Sequence, residues 1–285
     1  MGVALMHPRP FEYLAPTSID GACAMLAENE WAKVMSGGMS LIPMMKLRLL
    51  SPPTVIDIGR IPGLDYVADR GDHIAIGALT THATVAQDPL IGSHATALRQ
   101  AAQWTGDVQV RNRGTLCGTV AHADLAADTP VAALALGTTM VATSVRGQRL
   151  IAADDFFVDT LQSALEPDEI LTEVRVPIRP GGSAYDKLGR RGGHTDYAVA
   201  GVAVWVGDAS GTGARVAVTG VGTKPLLATA AMDALASGMS IDDAAGRVTD
   251  GITVLEDLYG SEEYKAHLAS VFARRAYAAA LADAA

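Results

Sequence analysis

Two glycine-bearing segments carry the clearest chemistry in this chain. Ser36-Gly37-Gly38-Met39-Ser40 follows an apolar, strand-like stretch and precedes a helix-like one, and Thr115-Leu116-Cys117-Gly118-Thr119 lies far downstream, just after Arg111-Asn112-Arg113-Gly114. Successive backbone N–H groups in a tight turn form a nest for an anion. A helix N-terminus adds unpaired donors and the positive end of a dipole. Glycine lets the backbone take positive φ and come close to an oxygen; Gly37 and Gly38 supply this in the first segment, Gly114 and Gly118 in the second. Ser40, Thr115 and Thr119 add hydroxyl donors. Together the segments have the makings of a main-chain cradle for a diphosphate. Each alone is weaker: a lone Ser-Gly-Gly is usually an ordinary turn, a lone Thr-x-x-Gly says less, and the G-x-G-x-x-G dinucleotide fingerprint is absent.

Little else competes. His122 sits in the context of the second segment and reads equally well as a ligand contact or as a structural histidine bonded to a loop carbonyl. His7, His73, His82, His94, His194 and His267 are scattered without metal-ligand spacing and read as surface or satisfied histidines. Asp154-Asp155 and Asp242-Asp243 read as loop or cap carboxylates, with no acid–base role. No Ser-His-Asp or Cys-His arrangement stands out. The two cysteines, Cys23 and Cys117, cannot supply the roughly four thiolates of an iron–sulfur cluster and suggest no disulfide framework. Arg190-Arg191-Gly192-Gly193 reads as a basic loop, and Lys46 and Arg48 as a solvated face or a partner contact.

The 285 residues leave room for two domains, and 49% hydrophobic content provides a sizeable core. A net charge of −9, with no concentrated run, argues against nucleic-acid binding, where a basic footprint dominates. It also implies that a bound diphosphate is held by N–H groups rather than by a basic cluster. No stretch approaches the ~18 apolar residues of a membrane span, and Met1 to Pro10 lacks a signal-peptide core. A reducing, cytoplasmic setting is the expectation.

These segments need elements to hold them. Thr17 with Asp20 predicts a helix start; Lys33 to Met35 reads as a strand, Leu41 to Leu50 as a helix with Pro43 in its first turn, and Val55 to Ile58 as a second strand. The first glycine segment then lies at the strand-to-helix corner of a βαβ-like unit. Further strands are expected at Ile74 to Ala78, Thr139 to Val145 and Glu169 to Val176, and helices at Thr80 to Gln87, His94 to Gln103 and Pro130 to Leu136. Arg179-Pro180-Gly181-Gly182 reads as a domain boundary. Beyond it, Tyr197 to Val206 and Arg215 to Val221 predict antiparallel strands joined across Gly211-Thr212-Gly213, and Leu226 to Ala285 predicts helix, the last one starting at Ser261.

Ser36 to Arg48 resembles the AGGxSLxPxMKLR signature of the medium, FAD-binding subunit of molybdenum hydroxylases, the group that includes the carbon monoxide and xanthine dehydrogenases. Gln109 to Asp124 is similar to the same family's QVRNRGTxGGxxAHxD motif, and Ile56 to Pro62 and Glu169 to Pro177 resemble the intervening and closing segments. The resemblance implies an α+β chain with a p-cresol methylhydroxylase-like FAD-binding fold. Residues 1–178 would bind FAD between two subdomains that meet near 55–60, and 179–285 would form a C-terminal antiparallel sheet-and-helix domain. It also implies that Ser36, Gly37, Gly38, Met39, Ser40 and Leu41 take one side of the diphosphate, and Thr115, Leu116, Cys117, Gly118 and Thr119 the other. His122, Asp124 and Asp128 would lie near ribityl, ribose or diphosphate, and Lys187 would approach the flavin. Three positions depart from the pattern: Ser36 for alanine, Leu125 for proline, and Cys117 for glycine, which would crowd the loop if that position needs positive φ. Partner subunits would supply a molybdenum-pterin centre and two [2Fe–2S] clusters, in a dimer of heterotrimers. FAD would pass electrons to quinone, NAD or oxygen. A stand-alone FAD oxidase of the same fold and a non-enzymatic nucleotide-binding protein are the alternatives.

Overall fold

The structure, a computed structural model, describes residues 7–192, 196–211 and 213–285. It opens with a small parallel sheet of β1 (Glu12–Leu14), β2 (Lys33–Met35) and β3 (Thr54–Asp57), in the order β1-β3-β2. Two helices, α1 (Ile19–Glu28) and α2 (Leu41–Lys46), make the crossovers. Parallel neighbours require such a connection, which places the Ser36–Ser40 segment at a strand-to-helix corner. The cap of α1 is Ser18, one residue later than expected: its Oγ accepts the Gly21 N–H at 3.1 Å. Ala22, Cys23 and Leu26 form the buried face of α1. α2 stops at Lys46, short of the expected Leu50, because Arg48 turns left-handed at φ 58°.

The second unit is an antiparallel sheet of β4 (Val67–Asp69), β5 (His73–Gly77), β6 (Thr139–Ser144), β7 (Gly147–Ala152) and, completing it from further along, β10 (Ile170–Pro177). Between β7 and β10 lie a short helix α9 (Ala153–Phe156) and a hairpin of β8 (Phe157–Asp159) and β9 (Gln162–Ser163). The sheet order is β4-β5-β10-β6-β7. Between β5 and β6 run α3 (His82–Gln87), α4 (Pro89–His94), α5 (Thr96–Trp104), α6 (Val108–Arg111), α7 (Leu116–His122) and α8 (Asp128–Leu136). α8 is buried along its whole length, which suits its nearly all-apolar sequence. α7 packs Leu116, Cys117 and Val120 inward and leaves its first turn at the surface of a cleft.

The third unit is an antiparallel sheet of β11 (Gly182–Gly189), β12 (Ala198–Val206), β13 (Arg215–Thr219) and β14 (Leu226–Leu227), followed by α10 (Thr229–Ala236), α11 (Ile241–Ala245) and α12 (Glu262–Asp283). α12 starts at Ser261, whose hydroxyl caps the Tyr264 N–H at 3.2 Å. Its small residues Ala269, Ala273, Ala276 and Ala280 let it lie close on the sheet. At Gly182 even a methyl group would stand 2.2 Å from the Ala280 carbonyl. The helical expectation from Leu226 onward fails at Leu226–Leu227, which form β14, and again between α11 and α12. There a run of β-branched residues, Ile252-Thr253-Val254, follows Gly251 at φ 79°, and the chain crosses extended so that Leu255 N–H reaches the Val221 carbonyl at 2.8 Å.

Candidate cofactor-binding site

The two glycine segments, more than seventy residues apart in sequence, clasp each other. Ser36 Oγ lies 2.9 Å from Thr115 Oγ1, and Thr115 caps α7 by accepting the Gly118 N–H at 3.1 Å. Glycine is required at the point of contact. A Cβ at Gly37 would fall 2.0 Å from the Arg113 carbonyl oxygen, and one at Gly118 would fall 2.8 Å from Ser36 Oγ. Gly38 takes φ 72° and turns the chain into α2. Among the described residues, the backbone N–H groups of Gly37, Gly38, Met39 and Ser40 donate to no protein acceptor, and the Ser40 hydroxyl does not cap α2. Half-buried main-chain donors of this kind normally find a partner.

The clasp separates two clefts. One, of about 420 Å³, is lined by both segments and by an apolar wall that includes Val34, Leu50, Leu165 and Leu171. The other, of about 630 Å³, shares Ser36, Gly37 and Thr115 but is polar, with Asp57, Arg60, Asp65, Asn112 and Arg113 around it. Asp57 is itself anchored, accepting Gly59 N–H at 2.8 Å and Tyr13 OH at 2.5 Å. Both volumes lie in the roughly 300–1,000 Å³ range of small-molecule sites. A diphosphate has two charged groups to satisfy with main-chain donors, and an aromatic ring beyond it needs an apolar wall. The structure offers both side by side, so the residues present fit FAD.

Glu169, at the margin of the smaller cleft, is buried and held by Arg149, whose Nε donates to Oε1 at 2.6 Å and Nη2 to Oε2 at 2.7 Å. The Arg149 bond, with help from the Glu166 N–H, keeps its carboxyl below the usual glutamate range despite burial. A depressed folded-state pKa gives stability that is present above the unfolded value, about 4.3, and lost as pH falls through the folded one. In thermal unfolding from pH 7 to pH 3, the wild type is therefore expected to be more stable than Glu169→Gln at neutral pH and to lose that margin below about pH 4. A margin that persists unchanged at pH 3 would contradict this assignment.

Ser36, Gly37, Gly38, Met39, Ser40 and Leu41 all line the smaller cleft, as do Thr115, Cys117, Gly118, Thr119 and His122. Four other sequence candidates stand outside that lining. Leu116 points into the core. Asp124 accepts the Ala126 N–H at 2.9 Å and shapes its own turn. Asp128 and Lys187 pair with each other, Nζ to Oδ1 at 2.6 Å, and Tyr185 OH donates to the same oxygen at 2.6 Å. Lys187 Nζ also donates to the carbonyls of Asp196 and Trp104, at 2.5 and 3.3 Å. Burial pushes Asp128 up to about 6, with Lys187 pulling it back, and burial lowers Lys187. Cys117 does not crowd the loop. Its φ is not left-handed, it lies inside α7, and its Sγ turns to the Ile76 and Gly77 carbonyls at 3.7 and 3.6 Å. Burial raises its thiol pKa, so it is an inert packing group. Burial lowers the His122 pKa, with Asp124 opposing. Of the basic loop, Gly193 lies outside the described residues, as does His194; Arg190 sits over the rings of Tyr197 and Tyr259.

Sequence reasoning missed His82. It is 1% exposed and its Nε2 lies 2.8 Å from Thr119 Oγ1, directly behind the second segment. The local signal was a histidine inside the polar run Thr80-Thr81-His82-Ala83-Thr84, and nothing nearby announces a partner 37 residues on.

Among the described residues no group of three or more His, Cys, Asp or Glu side chains could hold a metal ion, and no helix is long and apolar enough to cross a membrane. The family model described as the FAD binding domain in molybdopterin dehydrogenase matches residues 9–179, and that of the CO dehydrogenase flavoprotein C-terminal domain matches 183–280. The nicotine 6-hydroxylase medium subunit of Paenarthrobacter nicotinovorans is 38% identical, with 92% of this chain and 94% of the relative covered. The carbon monoxide dehydrogenase medium chain of Hydrogenophaga pseudoflava is 36% identical, with 97% and 99% covered. In three dimensions, a chain of carbon monoxide dehydrogenase from that organism superposes with a TM-score of 0.91 at 37% identity, covering 98% of this chain and 99% of the other. A chain of quinoline 2-oxidoreductase from Pseudomonas putida 86 superposes with a TM-score of 0.89 at 29% identity, covering 97% and 98%. With its clasped glycine loops and both family domains in order, the chain belongs to the FAD-binding medium subunits of the molybdenum hydroxylases.

Proposed function

We propose that this chain is the electron-transfer subunit of a molybdenum hydroxylase. It holds FAD at the clasped loops, receives electrons from [2Fe–2S] clusters of a small partner subunit, and delivers them to an external acceptor. A large subunit with a molybdenum-pterin centre oxidises the substrate, and the whole is a dimer of heterotrimers. Residues 1–178 carry FAD and 179–285 form the C-terminal domain. The observation that carries the reading is the row of N–H groups from Gly37 to Ser40 without protein acceptors, set against Thr115 to Thr119 at the mouth of an apolar cleft. The medium-subunit names of the relatives support the assembly, and two free, buried cysteines suit a reducing cytoplasm.

Bound FAD supplies the ability to exchange electrons singly or in pairs. The chain's own residues do the rest. Main-chain donors from Gly37 to Ser40 would hold one side of the diphosphate, and Thr115 and Thr119 the other, where Gly118, its N–H taken by Thr115, leaves room for close approach. The wall of Val34, Leu50, Leu165 and Leu171 would exclude water from a ring held in this cleft. The medium-subunit names of the relatives favour electron relay over a self-contained oxidase.

Co-expression with the genes of candidate large and small subunits tests this. The purified complex is expected to hold one FAD per medium chain, together with iron and molybdenum on the partners. Adding the substrate of the large subunit should bleach the flavin absorbance, and the chain alone should not turn that substrate over. Turnover by the isolated chain would establish the stand-alone oxidase instead, and a chain that never carries flavin would leave a nucleotide-binding role without redox chemistry.

A further inference from the structure

The two ring nitrogens of His82 meet unequal surroundings. Nε2 lies 2.8 Å from Thr119 Oγ1, while Nδ1 is buried and has no partner among the described residues. The backbone that carries the ring is fixed on both sides. The His82 N–H donates to the Gly114 carbonyl at 2.9 Å and the Leu116 N–H to the Thr80 carbonyl at 3.0 Å, so the start of α3 is stapled to the second glycine segment from both sides. Gly114 lies close to the ring: an added methyl there would come within 3.2 Å of Cδ2.

A neutral imidazole carries one N–H and one acceptor nitrogen. With the proton on Nδ1, Nε2 would accept from the Thr119 hydroxyl and an N–H would be buried with nothing to receive it. With the proton on Nε2, the ring donates to Thr119 Oγ1 and leaves behind only an unused acceptor, and orphaned buried donors are the rarer and costlier defect. The doubly protonated ring is worse still, since burial, with Arg111 nearby, pushes its pKa down to about 4. Thr119 Oγ1 has no other protein partner among the described residues, and Thr119 lines the cleft.

We infer that His82 is locked as the neutral Nε2–H tautomer and, by donating to Thr119 Oγ1, turns the Thr119 hydroxyl hydrogen toward the cleft as a donor to a diphosphate oxygen of FAD. This rests on the FAD reading above. His82 is thus a positioning residue: it touches no ligand and decides which way a ligand-binding hydroxyl points. A phosphate oxygen has no proton to give, so a Thr119 hydroxyl whose hydrogen were spent on His82 would face it lone pair to lone pair.

Two measurements on the full chain test this. In a histidine-selective 15N sample, with His82 assigned from the signals absent in His82→Gln, the ring is expected to show the Nε2–H pattern at pH 7. Affinity for FAD in the full chain supplies the second test. His82→Leu removes the donor and is expected to weaken binding about tenfold, as is Thr119→Val, while the His82→Leu/Thr119→Val pair binds no more weakly than Thr119→Val alone. His82→Gln, whose amide nitrogen can take the place of Nε2, keeps affinity within about threefold of wild type. An Nδ1–H or imidazolium signal, or effects of the two single changes that multiply, would overturn the inference. Should His82→Leu fail to fold, the tautomer and His82→Gln still decide. A wild-type chain that does not bind FAD at all would instead overturn the cofactor site itself.

Discussion

Gly37→Ala is expected to release FAD from an otherwise folded chain. The added methyl would sit 2.0 Å from the Arg113 carbonyl oxygen and 2.7 Å from its carbonyl carbon. Both are backbone atoms, so the loops must part for it to fit. Parting them pulls the Gly37–Ser40 donors away from Thr115 and Thr119, and each hydrogen bond lost to a charged group costs about 1.5–3 kcal/mol. Losing two weakens binding by at least roughly a hundredfold. The core beneath, including Ile56 and Ile58, is not disturbed, so far-ultraviolet circular dichroism should match wild type while the flavin absorbance of the purified chain disappears. Gly38→Ala is the informative contrast. There the methyl meets the movable Ile42 Cδ1 at 2.9 Å, and the main cost is an alanine at φ 72°, about 1–2 kcal/mol. A smaller loss of flavin is expected. Gly37→Ala retaining wild-type affinity would show that the clasp does not form the cradle.

The second large effect concerns the seam between the domains. Asp128 begins α8 in the first domain, and Tyr185 and Lys187 lie on β11 in the second. Lys187's side chain is fully buried and Asp128's nearly so. Removing one member strands the other charge, which typically costs about 3–5 kcal/mol. Asp128→Ala is therefore expected to lower the unfolding free energy by about that amount in urea titration, and Lys187→Met added to it should recover much of the loss, because no charge is then left unpaired. A ledger of two independent losses that simply add would contradict the pairing, as would an Asp128→Ala variant within about 1 kcal/mol of wild type.

The glycine loops were legible in the sequence because their chemistry is local: positive φ at Gly38 and a strand-to-helix corner between β2 and α2 follow from a handful of adjacent residues. So was the start of α12, where Ser261 precedes two glutamates. What could not be read depends on competition or distance. Thr17 and Ser18 are both good caps, and the helix uses the second. Arg48 ends α2 in a left-handed conformation that no glycine announces. The Ile252-Thr253-Val254 stretch looked like part of a helical tail, and its β-branched side chains instead let the chain run extended beside Val221. Cys117 looked like an obstruction only for as long as its φ was unknown. The pairs His82 with Thr119 and Asp128 with Lys187 are 37 and 59 residues apart, and only the folded topology brings them together.

The most direct test is a crystal structure of the full chain with FAD bound. Diphosphate oxygens should lie within about 2.7–3.2 Å of backbone nitrogens between Gly37 and Ser40 and of the Thr119 hydroxyl, with Ser36 and Thr115 still in contact behind them. A flavin found with its diphosphate elsewhere, or loops that separate to admit it, would contradict the site described.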